Sequence, residues 1–180
     1  MELNGHSVMK RTQIAHYLKK NVTVTTVNVF DPRTMQPISM DEARVGMTGY
    51  THRQFDGAAI KFRRVDPGKN DVNEGEAQLE LPVFDFYGGM WGLLLASCPL
   101  REGYKGALPS VAENEEKLRW CRFEVTGEET VAAGGGKKVK AWMVRTDDHG
   151  AMTFWLTKEA PYVIKLVYDT AQGTFTYWIA

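Results

Sequence analysis

A chain of 180 residues, 43 % hydrophobic and 24 % charged, has the composition of a globular protein rather than a disordered one. Lys plus Arg and Asp plus Glu number 22 each, and each half of the chain carries 11 of either sign, so neither half is a basic nucleic-acid-binding module. The longest apolar run, Met90 to Ala96, falls far short of the roughly 20 residues that a membrane-spanning helix needs, so no transmembrane segment is expected.

The chain opens without the basic stretch and apolar run of a signal peptide. Met1 to His6 reads as a strand and turn entered midway, which favours a chain that starts after a removed leader over a cytosolic one. Candidate strands then follow in order, as runs of β-branched and aromatic residues bounded by Gly, Pro, Asp and Asn. They are Val8 to Leu18, Val22 to Phe30, Gly46 to Phe55, Ala58 to Val65 and Ala77 to Leu81. Between Val24 and Val27 the apolar parity slips, which predicts a bulge or bend. Asp31-Pro32 ends the second strand, Asp56-Gly57 fits a tight type I′ hairpin, and Asp66-Pro67-Gly68-Lys69 is a further turn.

Met90 to Ser97 supplies helix formers, stopped by Cys98-Pro99 because the residue before proline avoids the helical region. A second helical turn is possible at Val111 to Leu118. Later strands are Arg119 to Thr126, Lys137 to Thr146, Ala151 to Thr157, Val163 to Tyr168 and Gly173 to Ile179. In the fourth of these, Val163, Lys165 and Val167 are expected on one face and Ile164, Leu166 and Tyr168 on the other. The pattern is mainly β: an open or half antiparallel barrel, lipoprotein-carrier-like or lipocalin-like, with one or two short helices, in one domain spanning 1–180.

Several runs also carry a resemblance. Phe86-Tyr87-Gly88-Gly89-Met90-Trp91-Gly92-Leu93-Leu94 leads into Pro99-Leu100-Arg101-Glu102-Gly103. Phe123 to Val131, Lys138 to Val144 and Thr153 to Leu166 follow, and Val29 to Ile38 and Phe55-Asp56-Gly57 fit as well. In order and wording these resemble a bacterial family of unknown function whose members are usually exported, with a fold similar to the periplasmic lipoprotein carriers. The resemblance implies a periplasmic or cell-envelope location and transfers no catalytic residue.

No catalytic pattern emerges from the residues themselves. There is no G-x-S-x-G element, no HExxH and no close His pair; His16 and His52 fall in strands and could meet across a sheet. Asp147-Asp148 reads as a solvated turn, and Glu113, Glu115 and Glu116 as a solvated acidic stretch. Gly134-Gly135-Gly136-Lys137-Lys138 fails the phosphate-loop pattern, with Val131 and Lys138 in the positions of the first Gly and the hydroxyl. Cys98 and Cys121 form no C-x-x-C pair; they are either buried free thiols or one disulfide. No cofactor and no metal are expected.

The aromatics remain. Tyr87, Trp91, Trp142, Phe154 and Trp155 read either as core or as the wall of an apolar cavity between helix and curved sheet. The leading expectation is a non-catalytic envelope protein binding a lipid or other apolar small molecule, with Arg63, Arg64 and Arg145 as a rim for an anionic headgroup. The alternative is an interaction or scaffold domain that pairs an open sheet edge with an envelope protein partner.

Overall fold

The computed structural model describes residues 2–3, 5–17, 21–84, 90–111, 116–133, 136–147, 151–170 and 173–178. Two compact units divide the chain: Met1–Tyr87 with Pro109–Arg119, and Gly88–Leu108 with Trp120–Ala180. Both are built on antiparallel sheets, and among the described residues neither sheet closes into a barrel; the chain is mainly β and open as the pattern predicts.

In the first unit a short pair, β1 (Glu2–Leu3) and β2 (His6–Ser7), precedes a six-stranded meander. Its strands are β3 (Met9–Tyr17), β4 (Val22–Phe30), β5 (Pro37–Val45), β6 (Tyr50–Asp56), β7 (Ala59–Val65) and β8 (Val72–Gln78), neighbours in sequence and in space. The turns follow from local chemistry. Asp31 Oδ1 accepts the backbone N–H groups of Arg33 at 2.6 Å and Thr34 at 3.3 Å, an Asx turn that ends β4. Asp66 O accepts Lys69 N–H at 3.0 Å, with Pro67 second and Gly68 third at φ 78°, the type II arrangement. The β6–β7 hairpin is tight as expected, but Asp56 pairs with Ala59, so the loop is Gly57-Ala58 and lies one residue later. Gly57 alone of the two has positive φ (59°), which matches type II′ rather than I′.

The expected parity slip in β4 is corrected. Its register with β3 runs unbroken from Met9–Phe30 to Tyr17–Val22, and its inward face is Val22, Val24, Thr26, Asn28 and Phe30. The alternation never slips. Two polar residues stand where apolar ones were expected, and Thr26 and Asn28 are 4 % and 2 % exposed.

Strand β5 carries too many charges to read as β, and forms because β4 and β6 pair with it on both sides. The run expected from Ala77 lies earlier, as β8, an exposed edge with low intrinsic β propensity. The ring of Phe62 covers Gly75 there, lying 3.1 Å from where a Cβ would stand, so an aromatic shields the bare edge glycine. Met40, Phe55, Ile60, Val83 and Val111 form the apolar core of this unit, with Leu79 and Leu118 packed against it.

The second sheet orders β9 (Lys105–Val111), β10 (Leu118–Ala132), β11 (Lys138–Thr146), β12 (Met152–Leu156), β13 (Val163–Thr170) and β14 (Gly173–Trp178). Chain passes from the second unit into the first within β9 and returns within β10. The helix α1 (Met90–Ser97) falls where predicted and is apolar all round, which is the signature of a buried helix. Most of the second helical turn suggested at Val111 to Leu118 lies outside the described residues; Val111 ends β9 and Leu118 begins β10.

Helix α1 lies on β12 and β13. A Cβ on Gly92 would meet Val163 Cγ2 at 2.5 Å and Phe154 Cδ1 at 3.1 Å, so only glycine allows this approach. The Lys158 ammonium donates to the carbonyls of Ala96 and Cys98, placing a cation on the unsatisfied carbonyls at the helix C-terminus.

The expected faces of β13 are also corrected. Its register with β12 shifts between Trp155–Lys165 and Leu156–Val163, leaving Ile164 as the extra residue of a bulge. The bulge sends Val163 to the helix side, while Ile164 and Val167 join Val131, Ala141 and Trp155 in a cluster on the other face.

Candidate functional site

The inner face of the first sheet carries two polar rows, which on β4 lie between Val22 and Val24 on one side and Phe30 on the other. The cross-strand registers define its rows. Arg11, Asn28, Met40, Arg53 and Phe62 stand side by side, and the next row is Gln13, Thr26, Glu42, Thr51 and Arg64. Glu116, carried by the chain just before β10, completes the layer. Its Oε1 lies 3.1 Å from Arg53 Nη2 and 3.4 Å from Arg64 Nη1. The Arg53 and Glu116 side chains are only 3 % and 6 % exposed. Arg64 also reaches Asp66 at 3.6 Å, and Arg44 Nη2 donates to Glu42 at 2.8 Å.

Among the described residues three guanidiniums thus meet two buried carboxylates, with Asp66 at the more exposed margin. Arg11, a fourth inward guanidinium, lies outside these pairs. It donates through Nη2 to Gln13 Oε1 and meets no carboxylate among the described residues, while its Nη1 is buried without a partner. Burial alone pulls its pKa down to about 10, because the charged form loses water and gains no counter-charge. Asn28 stands directly opposite, and neither its Oδ1 nor its Nδ2 has a hydrogen-bond partner. Each such buried, unsatisfied polar group costs about 1–3 kcal/mol. Folding by itself does not favour this arrangement, whereas an anion between Arg11 and Asn28 would relieve both.

This layer corrects two sequence expectations. Glu116 is buried and shared by two arginines rather than solvated; Glu113 and Glu115 lie outside the described residues. Arg63 and Arg64 do not form one rim either: they point to opposite faces, Arg63 pairing with Glu74 on the exposed side and Arg64 turning inward. Arg145 is exposed on β11 of the second unit. Sequence reasoning missed Arg11, Asn28 and Arg53. Their trace in the sequence is polar residues at inward positions of regular strands, and on β4 that pattern mimics a bulge.

The five aromatic candidates fall differently. Trp91 on α1 is 3 % exposed, and Phe154, fully buried at 0 %, lies against Gly92. Trp142 shares the face of Phe154 by register and is half-buried. Trp155 points to the opposite face, where its indole N–H donates to Glu129 Oε2 at 2.7 Å and the Lys165 ammonium lies 4.2 Å above its ring. Tyr87 lies outside the described residues. Where Gly92 meets Phe154 and Val163, helix and sheet are in van der Waals contact.

Other groups stand apart from this layer. His16 bonds Thr23 Oγ1 at 2.8 Å and His52 bonds Asp41 Oδ1 at 2.6 Å, so the two histidines take separate partners. Among the described residues no three His, Cys, Asp or Glu side chains gather as a metal site. Cys98 and Cys121 are both free thiols; burial pushes the Cys98 pKa up, against the pull of the Lys158 charge and a hydrogen bond from Ser97. An open depression beside Arg101, Gly103, Tyr104 and Lys105 is the outer surface of a turn. Among the described residues, no helix is long and apolar enough to cross a membrane.

No curated protein and no solved structure gives a significant match to the chain. A family described as a protein of unknown function, DUF3108, matches residues 4–179, and the chain belongs to that family.

Proposed function

We propose that this chain is a non-catalytic binding protein of the bacterial envelope, and that its ligand presents an anionic group, such as a lipid head, to the polar rows of the first sheet's inner face. The observation that carries the reading is Arg11, a largely buried cation with no described carboxylate, set opposite the unsatisfied amide of Asn28. The envelope location rests on the family resemblance, and the lack of a gathered acid, base and nucleophile motif in the sequence favours binding over catalysis.

The test is Arg11→Met. In the unliganded protein a charged Arg11 penalises the folded state, and the penalty fades only as pH rises through about 10. At neutral pH the variant is therefore expected to be more stable by about 1 kcal/mol, a rise in Tm of roughly 2–4 °C. Dihexanoyl phosphatidic acid is expected to raise the Tm of the unsubstituted protein and leave that of the variant unmoved. Equal ligand-induced shifts in both would overturn the assignment.

A second reading has its own observation. Among the described residues β3 ends its sheet, a nine-residue edge exposing Ile14 at 69 % and Tyr17 at 39 %. A strand from a second copy added there would slow amide exchange along β3 as protein concentration rises. Exchange independent of concentration sets this reading aside.

A further inference from the structure

We infer that the group bound between Arg11 and Asn28 is a phosphoryl group that carries its own hydrogen-bond donor, and that the site discriminates it from a fully ionised oxyanion of the same size. The inference rests on the anion-binding reading above and names the chemistry of its ligand.

The argument is a count of donors and acceptors. Arg11 can only donate, and its Nη1 is unused. Asn28 both donates, through Nδ2, and accepts, through Oδ1, and both atoms are unused at 2 % exposure. Exchanging the amide oxygen and nitrogen in place leaves the same requirement. The neighbours of Asn28 on its own face do not meet the need: Met40 beside it and Phe30 along the strand are apolar, Arg11 across from it offers no acceptor, and the Thr26 hydroxyl makes no hydrogen bond to it. A ligand that satisfies the pair must accept twice, from Arg11 and from Nδ2, and donate once, to Oδ1. Sulfate at neutral pH has acceptors only. Hydrogen phosphate keeps an O–H at neutral pH and a phosphate monoester keeps one below its second pKa of about 6, and so both fit a site in which the one uncharged group is an amide rather than another arginine. A surface patch of arginines would bind both ions alike, because charge alone does not sense a proton.

Two sources present this chemistry, free phosphate and the phosphomonoester head of a lipid, and one titration separates them. Calorimetry would use the intact protein with sodium sulfate, inorganic phosphate and dihexanoyl phosphatidic acid at about pH 5.5, where the phosphomonoester keeps its O–H and sulfate stays fully ionised. Phosphate is expected to bind at least tenfold tighter than sulfate. Asn28→Leu removes the donor and the acceptor together at similar volume and takes away a buried unsatisfied amide, so it is expected to fold at least as well. In that variant the ratio of phosphate to sulfate affinity should fall to about one. Phosphatidic acid binding well above phosphate identifies a lipid head as the source; equal affinities identify the free ion. Sulfate binding as tightly as phosphate overturns the inference and leaves the anion-binding reading standing. Binding of none of the three overturns both.

Discussion

Truncating Phe154 to alanine is expected to cost about 3–5 kcal/mol, seen as a lower urea midpoint with an unchanged slope. Its side chain is fully buried, pairs across the sheet with Val144 and Leu166, and receives the bare backbone of Gly92. No neighbour can collapse into the space at low cost, because α1 is held at its C-terminus by Lys158 and approaches the sheet as closely as a glycine permits. The loss therefore includes a cavity as well as the transfer of the ring. A loss below about 1 kcal/mol would mean that the helix does not rest on this residue.

Glu116→Ala is expected to be comparably damaging, about 3–5 kcal/mol, for an electrostatic reason. It removes the carboxylate that two inward guanidiniums share, one of them on a side chain 3 % exposed. This contact contributes to offsetting the desolvation of Arg53, and truncation withdraws it without removing the charge. The double variant Arg53→Met with Glu116→Met should recover much of the loss, because a buried pair exchanged for apolar side chains of similar size is close to neutral. Urea denaturation of Arg53→Met, Glu116→Met and the double variant closes the cycle; purely additive losses would show that the two side chains do not interact.

Much of the fold was legible. Val22 to Phe30 and Met90 to Ser97 have the bounds read from sequence, because strong β formers and an apolar run closed by Ser97 are ended by Asp31-Pro32 and Cys98-Pro99. Strands β5, β8 and β9 were displaced or missed, since their charges, glycine and proline contradict local β preference and pairing partners decide instead. The faces of β13 could not be read, because a bulge depends on the register of β12 beside it. The candidate site was the least legible part. Arg11, Asn28, Arg53 and Glu116 are far apart in sequence, each resembles an ordinary surface residue, and only the meander's register aligns the first three in one row.

The interleaving of the two units bears on how the chain is made. Strands β3 to β8 pair only with neighbours in sequence, so the meander can assemble as it leaves the ribosome, without waiting for distant partners. Glu116 and Val111 emerge later, after the α1 segment of the other unit. Until then the inward arginines have no Glu116 and the Met40 cluster lacks part of its cover. The nascent meander is thus a half-finished product with a charged, open inner face, and that stage is where a chaperone would find most to hold.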